Sequence, residues 1–327
     1  LDEEGDVANA YFQVPELRGF EKFCEGRPAE EIPRIVPRIC GVCPISHHLA
    51  SAKTVDGVWD VEPTPTAKKL RELMFNAHIV HSHTAHFYAL AAPDFVVGPD
   101  AKPEERNILG VVAKVGLENG QEVIKNRRYA QSIQAILGGK ATHPVNCLPG
   151  GVSKGLTEEE RQEIEKKAAS IVEFGKFSLK LFEDVVLNNQ YYVDLILGDV
   201  YKIDTYFMGM VDEKNRVNFY DGEVRIIDPE GREFARFEPK DYLDHIQEEV
   251  EPWTYLKFPF LKKIGWTGMK EGADGSVYRV GPLARINVAD SMATPFAQEA
   301  FEKFHETLGG KPVQATLGYH WARLIEL

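Results

Sequence analysis

Four long stretches with helical periodicity dominate the first two hundred residues and restrict the fold more than any other feature. They cover residues 44–59, 66–91, 104–137 and 156–187. In the first stretch, apolar residues recur at the spacing of one helix face, at Leu49, Ala52, Val55 and Trp59. Helices of this length bury their apolar faces most readily against one another. The sequence therefore predicts a bundle of long helices.

Local signals mark the ends of these helices. Pro63 and Pro65 end the first helix and begin the second. The paired glycines at 138–139 close the third helix. Thr157 is followed three residues later by Glu160, which predicts a capping box at the start of the fourth helix.

Shorter elements are predicted on both sides of this bundle. Residues 6–14 alternate enough for a strand, and Glu16–Phe23 and Pro28–Val36 look like short helical pieces broken by prolines. After Tyr201, short apolar runs separated by turn residues predict a small antiparallel meander at 206–239. Three further elements are expected towards the end, a strand or extended segment at 276–288 and helices at 295–308 and 312–327.

The expected fold class is therefore α+β and predominantly α, a long-helix bundle with a small antiparallel β insertion. We expect one domain over residues 1–327. Its mainly helical part covers 1–200, a β-rich insertion covers 201–290, and 291–327 returns to helix. No internal repeat interrupts this pattern.

Composition excludes several classes of protein. The formal net charge is −12, which argues against nucleic-acid binding. Four cysteines in 327 residues are too few for a disulfide-rich secreted scaffold. No apolar run approaches the roughly 18 residues of a membrane-spanning helix, and the acidic N-terminus lacks the apolar region of a signal peptide. We expect a cytoplasmic protein with no membrane partner.

Two of the four cysteines form a Cys-x-x-Cys pair, Cys40 and Cys43. A structural zinc site needs about four ligands, and the chain has no second pair of this kind. A redox disulfide of the thioredoxin type follows a strand, whereas a proline-rich helical stretch precedes this pair. Half of a multi-thiolate metal site and two simply packed cysteines remain open on spacing alone.

The residues around the pair suit metal binding. Gly41 permits a tight turn that lets both sulfurs converge. Cys43 and Pro44 stand at the start of a predicted helix, where free N–H groups and the helix dipole stabilise negative charge on sulfur. His47 lies four residues after Cys43, on the same face one turn later, where it can ligate a metal or donate a hydrogen bond to a sulfur.

The sequence around Cys40 and Cys43, PRICGVCPISHHLASAK, closely resembles the first metal-binding motif of the large subunit of nickel–iron hydrogenases. Further segments resemble that family in the same order along the chain. They are ELRGFEKFCEGRPAEEIP, HTAHFYALAAPDF, LGGKATHPVNCLPGGV and VYRVGPLARINV. The continuation after Cys43 is most similar to the cytosolic, methyl-viologen-reducing type, whose electrons pass to heterodisulfide-reductase-like proteins. Soluble NAD(P)-linked hydrogenases come second.

The resemblance implies a role for particular residues. Cys40 would be a terminal nickel ligand, and Cys43 would bridge nickel and an iron that carries carbon monoxide and cyanide. His47 would support the ligand sulfurs, and Asp94 would belong to a polar canopy over the metals. Glu21 matches a glutamate that ligates a structural magnesium or similar ion, a role that suits a hard carboxylate.

The implied reaction is the reversible oxidation of dihydrogen to protons and electrons. Electrons would leave through an iron–sulfur small subunit, followed by further electron-transfer subunits. The family's second motif, Asp-Pro-Cys-x-x-Cys-x-x-His, is absent, as are its N-terminal Arg-Ile-Glu-Gly-His and a late arginine. We therefore expect an incomplete copy that is inactive alone.

Two alternatives compete with that interpretation. Cys24 and Cys147 could complete the site, but they lie on different predicted elements, and each is interpreted as a packed small residue. The chain could instead be a non-catalytic structural subunit of an electron-transfer complex that shares this fold. The presence of both Cys40 and Cys43 speaks against such a role.

Four histidines crowd the second long helix, at His78, His81, His83 and His86. At about 100° per residue, the first two lie on one side of the helix and the last two on another. They cannot all bind one metal, so interior hydrogen bonds or subunit contacts are the favoured interpretation.

Overall fold

The structure, a computed structural model, describes residues 1–13 and 19–327. Helices dominate this part of the chain. The α-helices are α1 (Phe20–Cys24), α2 (Ile32–Ile35), α3 (Pro44–Trp59), α4 (Pro65–His86), α5 (Ile108–Val115), α6 (Leu117–Gly138), α7 (Glu158–Phe182), α8 (Gln190–Leu197), α9 (Tyr242–His245), α10 (Pro282–Val288), α11 (Pro295–Thr307) and α12 (Gly318–Glu326). No described helix combines the length and the hydrophobicity that crossing a membrane requires.

The long helices form a bundle with two cores. Helix α4 packs against α6, and α6 packs against α7. One core lies among these helices and α3, and includes Ile45, Leu49, Met74, Ile133, Leu137 and Ile171. A second core joins the end of α7 to α8, α10, α11 and α12, and includes Phe182, Ile196, Leu283, Phe304 and Trp321. The predicted α-dominant fold class is confirmed.

Several predicted helix ends are found where the sequence places them. Helix α3 covers Pro44–Trp59, as its apolar spacing predicts. Thr157 and Glu160 form the predicted capping box at α7, in which each side chain accepts from the other's backbone N–H. Two long helices end in π-helical turns, at Phe87–Ala91 after α4 and at Glu183–Leu187 after α7. The Pro28–Val36 piece is a series of short helical turns that includes α2.

The strands form three small sheets in the described residues. They are β1 (Cys147–Leu148), β2 (Gly151–Val152), β3 (Tyr206–Val211), β4 (Glu223–Ile227), β5 (Glu233–Phe237), β6 (Ile246–Val250), β7 (Lys257–Leu261) and β8 (Tyr278–Arg279). Strands β3, β4 and β5 make the predicted antiparallel meander, and β8 adds to it parallel to β3. Strands β1–β2 and β6–β7 are separate antiparallel pairs.

The strand or extended segment expected at 276–288 is a strand only at Tyr278–Arg279, and Pro282–Val288 is helix α10. The helix expected at 312–327 begins only at Gly318.

Two further predictions about secondary structure are wrong in part. The expected helix at 104–137 is broken into α5 and α6, because Gly116 has a φ of 92°, outside the helical range. The expected strand at 6–14 is not formed within the described residues 6–13, and Val14 lies outside them. That segment instead contacts a loop, where Gln13 Nε2 donates to the Trp253 carbonyl at 2.6 Å. The predicted helical piece Glu16–Phe23 is described only from residue 19, and α1 begins at Phe20.

Candidate metal centre

The Cys-x-x-Cys pair lies in a tight turn that leads into α3. A 3₁₀ segment, Val36–Ile39, ends at Cys40, whose backbone is extended. Cys43 immediately precedes α3, and Pro44 is the first residue of that helix. The backbone N–H of Cys43 donates to Cys40 Sγ at 3.2 Å. The turn and the helix start therefore bring both sulfurs to one place.

His47 joins the two cysteines one helical turn further along. The Sγ atoms of Cys40 and Cys43 and one ring nitrogen of His47 all lie within 4.8 Å of one another. Among the residues that the structure describes, this is the one group of three or more His, Cys, Asp or Glu side chains close enough to share a metal ion. All three side chains are half-buried, so the group can still be reached from outside.

The thiols of this group differ in acidity. Burial raises the pKa of Cys40, but hydrogen bonds from Cys43 outweigh it and leave the pKa of Cys40 below its ordinary value. Burial, together with the neighbouring Cys40, raises the pKa of Cys43 to about 12 in the absence of a metal. Burial lowers the pKa of His47, so its imidazole is neutral at pH 7. A bound cation would favour the deprotonated form of both thiols.

This donor set fits a soft transition-metal centre. Two thiolates suit nickel and iron better than they suit hard cations such as magnesium or calcium. His47 adds a neutral nitrogen that can ligate or donate an N–H to sulfur. The described group offers three potential protein ligands, two of them sulfurs.

A second histidine, His48, supports the site from inside the protein. Its side chain is fully buried. Its Nδ1 lies 2.7 Å from the Pro33 carbonyl oxygen, and its Nε2 accepts from the backbone N–H groups of Asn146 and Cys147 at 3.1 and 3.0 Å. The ring thus links three separate segments around the cysteine turn.

A buried ion pair supports the other end of α3. Arg71 on α4 and Asp56 on α3 lie 2.5 Å apart, with almost no exposed side-chain area. Arg71 also donates to the carbonyls of Leu148 and Gly151, and Asp56 accepts from the Gly150 N–H at 2.8 Å. The Pro-Gly-Gly turn between β1 and β2 is therefore held against both helices. The spacing of His48, Ala52 and Asp56 along one face of α3 was the available signal for this contact.

The segment between α6 and β1 approaches its neighbours closely. A Cβ on Gly138 would lie 2.3 Å from Pro144 Cβ, so a side chain has no room there. His143 has a φ of 53°, which is uncommon for a residue other than glycine. Burial and the Arg38 charge lower the pKa of His143, and a hydrogen bond to the Pro37 backbone acts in the opposite direction. The His143 ring therefore lies beside the residues that lead into Cys40.

The other predicted site residues lie on separate elements. Asp94 lies in a π-helical segment, Pro93–Val97, where its exposed carboxylate is 3.6 Å from Arg106 Nε. Glu21 is exposed in the first turn of α1. Neither residue belongs to the described group of Cys40, Cys43 and His47.

Cys24 and Cys147 also stay outside that group in the described structure. Cys147 is buried in β1, and burial raises the pKa of its thiol to about 12. Cys24 ends α1. Cys147 is therefore a packed cysteine, and the partly buried Cys24 lies outside the described metal-binding group.

The four histidines of α4 make different contacts, and His78 and His81 are neighbours with ring centroids 6.4 Å apart. His83 is buried and is hydrogen-bonded to Glu326 at 2.8 Å, and Arg323 Nη1 lies 3.2 Å from its other nitrogen. His78 is buried and stacks on Phe75, with ring centroids 6.1 Å apart. His86 faces His320 with ring centroids 6.0 Å apart. Interior hydrogen bonds therefore account for His83, whereas His81 Nδ1 and His86 Nδ1 are buried without a hydrogen-bond partner among the described residues.

Comparisons with known proteins connect this geometry to one family. Residues 18–107 match the family model described as nickel-dependent hydrogenase. The chain is 50% identical to an F420-non-reducing hydrogenase iron-sulfur subunit from Archaeoglobus profundus, over all of this chain and 67% of that protein. It is 48% identical to a vhu subunit of the F420-non-reducing hydrogenase from Methanocaldococcus jannaschii, over all of this chain and 75% of that protein.

A solved structure agrees with these sequence matches. The fold superposes on a crystal structure of an NAD⁺-reducing [NiFe]-hydrogenase in the H₂-reduced state with a TM-score of 0.89. The two chains are 35% identical, and the match covers all of this chain and 70% of that one. Sequence and fold therefore point to the same family.

Proposed function

The chain belongs to the nickel-dependent hydrogenase family, and from this premise we propose that Cys40 and Cys43 supply two thiolate ligands of its nickel–iron centre. The protein is the large subunit of a nickel–iron hydrogenase. This enzyme is the oxidoreductase that interconverts dihydrogen with protons and electrons. The observation that carries the proposed ligand assignment is the convergence of Cys40, Cys43 and His47 within 4.8 Å.

In this proposal Cys40 would hold the nickel, and Cys43 would hold both nickel and iron. The iron would also carry carbon monoxide and cyanide. When bound, the centre supplies the polarisation that cleaves dihydrogen heterolytically and the capacity to take up its electrons.

The chain's own residues then position groups and move protons. Cys40 Sγ accepts the Cys43 N–H, and this contact stabilises negative charge on that sulfur. The neutral His47 ring has a nitrogen within 4.8 Å of both sulfurs, and its N–H is available to stabilise negative charge on a thiolate. Helix α3 directs its N-terminus at the same sulfurs and adds to this stabilisation.

Asp94 and Glu21 complete the proposal at a greater distance from the cysteines. Asp94 contributes an acidic group to the canopy over the metals, and its place in a π-helical segment supports this, because such segments are frequent at functional sites. Glu21 offers a hard carboxylate for a magnesium or similar ion.

The large subunit requires electron-transfer partners. The described residues hold one cysteine cluster, which the proposal uses for nickel and iron, so it leaves no thiolate set for an iron–sulfur cluster. We assign that role to an iron–sulfur small subunit, which passes electrons on to heterodisulfide-reductase-like or NAD(P)-linked subunits. A cytoplasmic location is part of the same proposal.

Cobalt(II) titration of the 327-residue chain tests the ligand assignment, because thiolate coordination produces an intense charge-transfer absorption. The wild type and the Cys24→Ser control should both show this band. Cys40→Ser and Cys43→Ser should each lose most of it. An unchanged band in Cys43→Ser, or a band that requires Cys24, would show that the ligands are assigned wrongly.

The assembled hydrogenase provides the functional check. Cys43→Ser in the complete complex should abolish nickel and iron content, measured by elemental analysis, together with hydrogen oxidation. Retention of both metals and of activity would refute the bridging role of Cys43.

A further inference from the structure

The buried imidazole of His48 connects α3, which follows Cys43, to the segment before Cys40 and to the segment at Asn146 and Cys147. His48 lies on α3, five residues after Cys43, with none of its side chain exposed. One ring nitrogen reaches Pro33, seven residues before Cys40, and the other reaches Asn146 and Cys147. The Pro33 contact is made by Nδ1 and the other two contacts by Nε2, so the rigid ring fixes the distance between these segments.

The donors and acceptors determine the state of this ring. The backbone N–H groups of Asn146 and Cys147 can only donate, so Nε2 accepts from both. Nδ1 therefore carries the proton and donates to the Pro33 carbonyl. A neutral imidazole with its proton on Nδ1 makes all three hydrogen bonds at once.

The segment that His48 holds leads directly into Cys40. Pro33 lies in α2, which continues through the 3₁₀ segment Val36–Ile39 to that cysteine. The Cys40 N–H donates to the Pro37 carbonyl at 3.4 Å. Cys43, in contrast, is held by α3 itself. The distance between the two sulfurs therefore depends on how the Pro33–Ile39 segment is fastened to α3.

We propose that His48 is a positioning residue for metal binding, which sets the separation of the Cys40 and Cys43 sulfurs by tying Pro33 and the Asn146–Cys147 segment to α3. This inference rests on the proposed role of the two cysteines as metal ligands. His48 itself does not touch the metal.

A purely structural role predicts a different outcome. If His48 only fills the core, its removal lowers stability but leaves the metal affinity of the folded protein unchanged. If it positions the sulfurs, metal affinity falls even while the protein stays folded. Loss of a group that orients metal ligands typically weakens binding roughly 10- to 100-fold.

Four variants separate these outcomes in the cobalt(II) titration. His48→Phe keeps the ring shape and removes all three hydrogen bonds. His48→Asn retains a donor near the Nδ1 position, and His48→Gln retains an acceptor near the Nε2 position. His78→Phe is the matched control, because His78 is a buried histidine on α4 outside the cysteine turn.

Each variant is measured at a temperature where circular dichroism shows it folded. His48→Phe should bind cobalt(II) at least about tenfold more weakly than the wild type. His48→Asn and His48→Gln should fall between the two, and His78→Phe should match the wild type. A folded His48→Phe with wild-type affinity overturns the proposal. If His48→Phe keeps wild-type affinity while Cys43→Ser abolishes the absorption band, only the inference about His48 has failed, and the ligand assignment stands.

Hydrogen exchange on the wild type decides the matter even where a variant does not fold. Cobalt(II) should slow amide exchange at Asn146 and Cys147 as well as at Cys40 and Cys43, because His48 couples these segments. The turn at 228–232, between β4 and β5, serves as the internal reference and should not change. Protection confined to the cysteine turn would overturn the proposal.

Discussion

His83 Nε2 and Glu326 Oε2 lie 2.8 Å apart and join α4 to α12 across 243 residues of sequence. Arg323 Nη1, which can only donate, lies 3.2 Å from His83 Nδ1, so the proton of this ring is on Nε2 and is donated to Glu326. Arg285 donates to both carboxylate oxygens at 2.6 and 2.7 Å. Although burial alone would raise it, the neighbouring Arg285 brings the pKa of Glu326 to about 2.

Glu326→Gln should destabilise the protein by about 3 kcal/mol, because it leaves the Arg285 charge without its partner in a buried setting. The free energy of unfolding from urea titration provides the measurement. Glu299→Gln, at an exposed position on α11, is the control and should stay within about 0.5 kcal/mol of wild type. A loss below about 1 kcal/mol for Glu326→Gln would show that this network contributes little.

Arg71→Met should cost about 3–5 kcal/mol of unfolding free energy, because Asp56 then keeps a buried charge and two carbonyls lose their donor. Arg161→Met is a matched control on the exposed face of α7, where solvent screens the ion pairs with Glu158 and Glu165, so the free energy of unfolding should stay nearly unchanged. Equal losses of unfolding free energy for the two substitutions in urea titration would contradict a stabilising role of the buried Arg71–Asp56 ion pair.

Stability should fall as pH decreases from about 7 to about 4. Burial, the largest cause at each, lowers the pKa of His78, His305 and His320 to about 4. Between that value and the ordinary pKa of about 6.5, the unfolded state binds protons that the folded state does not. The stabilisation is therefore fully present above about pH 6.5 and is lost as pH falls towards 4. Urea midpoints between pH 7.5 and pH 5 measure this slope.

The same pH experiment has an internal check. His78→Phe removes one of the titrating groups and should make the decline with acidification shallower. A urea midpoint that does not change from pH 7 to pH 5 in the wild type would show that these imidazoles are not buried in their neutral form.

Cys147 should resist alkylation in the folded protein, because it is buried and its thiol pKa is raised to about 12. Iodoacetamide labelling followed by mass spectrometry should modify the half-buried Cys40 first and Cys147 only after unfolding. Denaturant-treated protein is the control for full labelling. Rapid labelling of native Cys147 would contradict its place in the β1–β2 pair.

Local patterns were reliable wherever neighbouring residues decide the conformation. The limits of α3, the capping box at Thr157 and the meander after Tyr201 all follow from short-range periodicity, capping and turn chemistry. The break at Gly116 was missed because a single glycine is tolerated in a helix unless the backbone adopts a positive φ. The strand expected near the N-terminus failed because no partner strand pairs with the described residues 6–13.

The sequence by itself determined the pairing of Cys40, Cys43 and His47, because all three lie within eight residues and one helix start brings them together. Only the tertiary structure decided what supports them. His48 meets Pro33 and Asn146, Asp56 meets Arg71 and Gly150, and His83 meets Glu326. Most of these contacts join positions far apart in the chain, and all of them require a buried polar group to find its partner in three dimensions, which no local spacing specifies.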